Sequence, residues 1–332
     1  MHVVLLHDDI PPDARPDELD VFVQAELIEA ALRELGHSAS RLPFTLDLGG
    51  VRAGLSRGAD LVFNLVESVA GHSRLLYLAP ALLDALGVRY TGAPTEALFL
   101  TTNKLLAKEL LRAHGLPTPA WFCAAGHVPA ERFGRGTYVI KLVWEEASVG
   151  LDDDAVVTAA SGDELREAIL ARSRRLGGEA FAEAYVDGRE FNLSVLGGPE
   201  GPQVLPPAEI HFVDYAPGRP KLVGYRAKWD TTSFEYHHTP RCFDFPPQDA
   251  PLLNELGRLA RACWHLFGLR GYARVDFRVD AAGQPWILEI NANPCLAPDA
   301  GFMAAAAQAG LDAAAVVARI LGDSHARTTD VE

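Results

Sequence analysis

The chain has 332 residues, 48% of them hydrophobic, and its 44 acidic and 30 basic residues leave a net charge of -14 with an isoelectric point near 5.2. That apolar content suffices for two or three domains with their own cores and excludes disorder, while the acidity argues against a nucleic-acid binder and leaves room only for a local basic cleft. Cys123, Cys242, Cys263 and Cys295 form no CxxC pair, the first apolar run is a strand rather than a signal sequence, and no run approaches a membrane span, so a cytoplasmic protein with reduced thiols is expected.

Residues 1–94 alternate as a small α/β unit. Val3 to Leu6 and Leu61 to Val66 are buried strands, Leu19 to Leu35 and Leu75 to Leu86 are helices stopped by Gly36 and Gly87, and the alternation predicts a parallel sheet. A turn-rich boundary at Tyr90 to Pro94 opens a second unit, 95–186. Thr102 is the expected N-cap of a helix from Asn103 to His114; Tyr138 to Val143 is a strand, and Ser161 caps a helix to Arg175. In 187–322, strands are expected at Phe191 to Leu196 and Val204 to Ile210. An irregular stretch runs to about Pro247, followed by a helix from Pro251 to Phe267, a hairpin, and one Ala-rich helix from Phe302 to Ile320. Residues 323–332 are expected to be a frayed tail.

The hairpin, Arg274 to Pro294, carries the chemistry. A turn at Ala281 to Gln284 sets Asp280 opposite Pro285, Asp276 opposite Glu289 and Arg274 opposite Asn291, because side chains alternate with period 2. Val275, Phe277, Val279, Leu288 and Ile290 then fill the apolar face. Two opposed carboxylates repel unless a positive charge lies between them, and their hard oxygens with that of Asn291 suit Mg2+ or Mn2+. An ordinary amphipathic hairpin with a solvated charged face has the same pattern. Lys141, the single charge among Val139, Ile140 and Leu142, needs a partner.

Taken in order, YTGAP, TTNKLLAKELLRAHGLPTP, YVIK with EEASVG, FAEAYVDGREFNLSV, YRAKWD, and GYARVDFRVD with WILEINANP resemble the D-alanine:D-alanine ligase branch of the ATP-grasp superfamily over nearly the whole chain. The resemblance implies an α/β (α+β) three-domain fold with ATP between the central and C-terminal domains. It gives the phosphates to Lys104 and Lys141, the adenine edge to Glu183 with backbone of Ala184 to Val186, the ribose to Glu190, and the γ-phosphate to Lys228. Mg2+ or Mn2+ falls to Asp276, Glu289 and Asn291, and the developing oxyanion to Arg274. Ser148 lies in the glycine-rich phosphate lid, where Glu146 and Ala147 depart from the family's Gly and Ser; Trp229 replaces the usual tyrosine after Lys228.

The implied reaction is ATP-dependent joining of a small-molecule carboxylate and an amine through an acyl phosphate. Substrate residues are expected at Glu18 or Asp20 near the first strand, at Glu67 where the ligases carry a histidine, and at Asp299. An acid at 299 and no serine after Pro294 point away from D-alanine as acceptor and toward another amino acid, an amine or a carrier-bound amine; Cys295 has no assigned role. A true D-alanine:D-alanine ligase, a non-catalytic nucleotide-binding protein and a magnesium hydrolase are the alternatives. Nucleic acid and membrane partners are not expected. The sequence fixes no oligomeric state; a homodimer, common among such relatives, is the family's implication.

Overall fold

The computed structural model describes residues 1–11, 13–124 and 133–324, so most of the expected tail lies outside the described residues. The chain starts as β1 (His2–Asp8), α1 (Pro16–Glu34), β2 (Ser38–Phe44), α2 (Leu48–Leu55) and β3 (Leu61–Asn64). These strands form a parallel sheet in the order β2-β1-β3. Val3 and Leu5 pack toward α1 while Val4 and Leu6 pack toward the opposite face, as a strand buried on both sides requires. The sequence hid β2 and α2: β2 is an edge strand with exposed alternate residues and a proline, and α2 opens on two glycines. α3 (Leu78–Leu86) ends at Gly87 in the left-handed conformation, as expected.

A further helix that was not expected, α4 (Thr95–Thr102), precedes the helix expected from Asn103 to His114, which is α5 (Lys104–Ala113). Thr102 ends the first; Asn103 is the N-cap of the second, its side chain accepting from the Leu105 and Leu106 amides. β4 (Trp121–Cys123), β5 (Gly136–Leu142), β6 (Val156–Ala159), α6 (Gly162–Leu176) and β7 (Ala180–Ala184) follow. Their strands form an antiparallel sheet in the order β4-β7-β5-β6, and Ser161 caps α6 as expected.

The third sheet comprises β8 (Arg189–Leu196), β9 (Gln203–Val204), β10 (Ala208–Ile210), β11 (Arg241–Cys242), β12 (Tyr272–Val279) and β13 (Pro285–Ala292). It is antiparallel in the order β11-β10-β8-β12-β13, with β9 added on β8. Pro206 and Pro207 break the strand expected over 204–210 into β9 and β10. Within the irregular stretch lie α7 (Tyr225–Trp229) and α8 (Phe234–His237), and α9 (Ala250–Leu266) covers the apolar face with Phe191, Leu193, Val275, Phe277, Ile287 and Ile290 beneath it. The Ala-rich helix is divided into α10 (Gly301–Gln308) and α11 (Ala313–Gly322), because Gly310 turns left-handed and Asp312 caps the second piece. α11 packs back onto α1, tying the chain's end to its beginning.

The β12–β13 register matches expectation at its far end and departs from it near the turn. Arg274 pairs with Asn291 and Asp276 with Glu289, whereas Val279, not Asp280, pairs with Pro285. The turn is one residue longer than expected, and a bulge beyond Asp276 absorbs the difference. Ile287 consequently takes the core position expected of Leu288, which is only partly buried.

Candidate nucleotide and ligase site

The polar face of the third sheet forms one floor. Arg274 forks onto Asp276, Nε to Oδ1 at 2.7 Å and an Nη to Oδ2 at 2.8 Å, while Asn192 on β8 and Asn291 donate to the same carboxylate at 2.7 and 3.0 Å. Asn192 lies directly across the ladder from Asp276, a contact that pairing within the hairpin alone could not foretell. Glu289 instead faces α5, where the Lys104 ammonium sits 2.9 Å away and also donates to the Glu145 carbonyl. Burial alone would raise the Glu289 carboxyl, yet the charges of Lys104, Lys141 and Lys228 hold it well below the usual range. Among the described residues no trio of His, Cys, Asp or Glu gathers as a metal cage; two carboxylates and an amide share this face instead.

A cleft opens above Glu289, lined by Lys104, Lys141, Glu145, Ser148 and Gly150 among others. Behind it lies a cluster that sequence reasoning only half found. Glu183, 2% exposed, pairs with Lys141 at 2.7 Å and, through its other oxygen, with Lys108, which is 1% exposed and donates to Thr118 Oγ1 at 2.7 Å. Lys108 follows Lys104 by one helical turn, so both point from one side of α5. Burial opposes ionisation of Glu183, but the two lysines outweigh it and lower its pKa. Both Glu183 oxygens are therefore taken by ammonium groups, and at the hinge that follows the Ala184 and Tyr185 amides donate to the Ala120 and Thr137 carbonyls at 2.8 and 3.0 Å. Glu190 is buried and 3.5 Å from Arg278.

Over the cleft, the segment Glu145 to Asp152 is stitched to residues 219–229. Ser148 donates to the Val223 carbonyl at 3.1 Å, and the Tyr225 amide donates to Leu151 at 2.8 Å. The Trp229 indole donates to the Ala147 carbonyl at 3.1 Å, so the two departures from the family pattern meet each other. Ala147 and Ser148 both have positive φ, and a Cβ on Gly224 would stand 2.1 Å from the Leu151 oxygen, so the approach demands glycine. Tyr225 reaches further, donating its hydroxyl to Asp17 of α1 at 2.7 Å. Lys228, with no side-chain hydrogen bond or ion pair among the described residues, sits among Arg274, Asp276, Glu289 and Glu190; burial first and Arg274 second lower its pKa.

Beyond the lid, at the carboxyl ends of β1 and β3, the charges are acidic. Asp8 accepts from the Glu67 amide at 2.8 Å and from Ser68 Oγ at 2.7 Å, Glu67 accepts from Gln24 at 2.9 Å, and Asp20 accepts from Gln24 at 3.3 Å and the Cys295 thiol at 2.8 Å. None of the three has a basic side chain within 4 Å among the described residues. Burial, aided by Asp8, Asp20 and Glu146, pushes Glu67 up to about 8, and burial pushes Asp8 to about 6. Glu146 is raised by burial and by Glu289, against the pull of Lys104. Burial and the adjoining acids likewise raise the Cys295 thiol, which makes it a hydrogen-bond donor rather than a nucleophile. Glu18 is otherwise engaged: its carboxylate caps α1 by accepting from the Arg15 amide at 2.7 Å, leaving Asp20 as the acid that faces inward. Asp299 is exposed, and its backbone carbonyl accepts from Arg241 at 2.8 Å.

The family described as D-ala D-ala ligase C-terminus matches residues 138–322. The D-alanine:D-alanine ligase of Halorhodospira halophila is 32% identical over 90% of this chain and 88% of its own length, and a protein of Sinorhizobium fredii, uncharacterized protein y4sG, is 31% identical over 91% and 88%. The structure of a Bacillus anthracis D-alanine:D-alanine ligase complexed with ATP superposes with a TM-score of 0.74 at 18% identity, covering 97% of each chain. The lysine-lined cleft, the carboxylate hairpin and the three sheets thus have one common explanation. The chain belongs to the D-alanine:D-alanine ligase family of ATP-grasp proteins, which are ATP-dependent, ADP-forming ligases.

Proposed function

We propose that this chain joins a carboxylate to an amine through an acyl phosphate, with an acceptor other than D-alanine, and that units 1–94, 95–186 and 187–322 enclose the reacting groups. The observation that carries the acceptor reading is the acidic cluster of Asp8, Asp20 and Glu67, whose carboxylates have no cation partner among the described residues. A substrate ammonium or a second basic group supplies the missing charge; a carboxylate does not. Glu67 and the exposed Asp299 fit a cationic acceptor better than an amino acid held by its carboxylate.

Lys104, Lys141 and Lys228 surround the cleft and suit a polyphosphate, and Arg274 lies where charge develops on a carbonyl oxygen. Asp276, Glu289 and Asn291 offer three oxygens on one face, a donor set that fits Mg2+ or Mn2+ and that Arg274 now neutralises at Asp276. A divalent ion there would offset charge on the transferred phosphoryl group. Ser148 and Trp229 hold the lid down and keep water from the acyl phosphate. The Ala184 to Val186 backbone takes the adenine edge and Glu190 the ribose.

The test is ATP-dependent phosphate release across a panel of amino acids, diamines and D-alanine, with mass analysis of the product. Release that depends on a basic acceptor and yields its amide is the expected result. Turnover with D-alanine alone would sink the acceptor reading, and amine-independent release would sink the ligase reading.

A further inference from the structure

Arg278 has no place in the roles above, yet it is 3% exposed and makes more polar contacts than most residues of the floor. It follows Asp276 by two on β12, so it shares that polar face, and it stands directly across the ladder from Glu190. One Nη donates to the Gly188 carbonyl at 3.2 Å and lies 3.5 Å from Glu190; the other donates to the Tyr185 hydroxyl at 3.3 Å and to the Lys221 carbonyl. The guanidinium also stacks between two rings, 5.6 Å from the centre of Tyr185 and 5.4 Å from that of Phe212. Gly188 closes the arrangement from the backbone side, since a Cβ there would fall 1.9 Å from the Val279 oxygen.

We infer that Arg278 is a positioning residue for the nucleoside: it fixes the hinge at residues 185–188, holds the loop backbone at Lys221, and keeps Glu190 in place as an acceptor for ribose hydroxyls. The inference rests on the proposed assignment of Glu190 to the ribose. A buried carboxylate without a cation is costly, and Arg278 is the sole ion-pair partner of Glu190 among the described residues. Removing the guanidinium frees the hinge and lets Glu190 turn or protonate, so the loss appears in how well the site recognises a ribose, beyond any loss of stability.

Nucleotide affinity measured calorimetrically on the full chain with Mg2+, for ATP and for 2′-deoxy-ATP, tests this without knowledge of the acceptor. Wild type prefers ATP; Arg278→Met weakens ATP binding about tenfold and brings the two nucleotides close to equal, the size expected for losing hydrogen bonds to a charged group. Arg278→Lys, which keeps the charge but not the fork, falls between and serves if the methionine variant fails to fold. Glu190→Gln is the reference. If Glu190→Gln abolishes the preference and both Arg278 variants retain it, Arg278 is merely structural and the inference fails. If Glu190→Gln also retains it, the ribose assignment itself is wrong and both fall.

Discussion

The cleft beneath the lid and the pocket at the ends of β1 and β3 are built from similar residues to opposite effect. On the cleft's floor and hinge each acid has a basic partner: Glu183 has Lys108 and Lys141, Glu289 has Lys104, Asp276 has Arg274 and Glu190 has Arg278, while Glu145 and Glu146 of the lid have no ion pair among the described residues. In the acidic cluster Asp8, Asp20 and Glu67 have amides, a hydroxyl and a thiol, and no cation among the described residues. The first region is electrostatically satisfied before any ligand arrives; the second is poised for a charge it does not contain. Buried carboxylates without counterions are costly, so the acidic cluster carries an electrostatic cost that the cleft does not.

The severest way to break the comparison is at its satisfied side. Asp276→Ala or Glu289→Ala is expected to lower ATP-dependent phosphate release at least about a hundredfold at a temperature where circular dichroism shows the variant still folded. Normal turnover in either variant would remove these residues from the site. Next comes Lys108→Met, which strands half of a buried ion cluster and should cost about 3 kcal/mol of stability, read in denaturant unfolding; an unchanged midpoint would mean that Lys141 alone satisfies Glu183. The pocket responds with the opposite sign. Glu67, pushed up to about 8 from an ordinary 4.5, keeps its proton in the folded chain where the unfolded chain has lost it, so stability falls as pH rises from 4.5 to 8. Glu67→Gln should therefore stabilise the ligand-free protein at pH 8 and flatten that slope, and a steeper slope would overturn the account. The smallest effect belongs to the lid: Trp229→Phe keeps the ring and loses one hydrogen bond to Ala147, worth about 1 kcal/mol. Faster amide exchange over 146–150 is the expected readout, and unchanged protection would deny Trp229 its role.

Much of the cleft was legible because period 2 and helical spacing are properties of sequence. Arg274, Asp276, Glu289 and Asn291 could be paired on paper, since alternation in two strands fixes which residues oppose one another. Arg278 continues the same alternation and Lys108 the same turn of α5, so both carried a signal; what hid them was that their partners, Glu190 and Glu183, come from strands remote in sequence. The acidic pocket was less visible for the same reason. Glu67 stood out as an acid after a buried strand, but Asp8 and Asp20 meet it only once β1, β3 and α1 are assembled. Gly310 and Asp312 could have divided the last helix, whereas nothing local announced β2, whose exposed residues give an edge strand little apolar pattern.

The bulge beyond Asp276 works as a slip joint. On its turn side the two strands run one register, on the far side another, and the pair Asp276 and Glu289 belongs to the second. Turn length and carboxylate alignment are thereby decoupled: a loop at the distal tip of the hairpin can lengthen by a residue without dragging the carboxylates off one another. The carboxylate face is thus indexed to β8 and to α5 rather than to its own turn, and the hairpin tip is left free to vary.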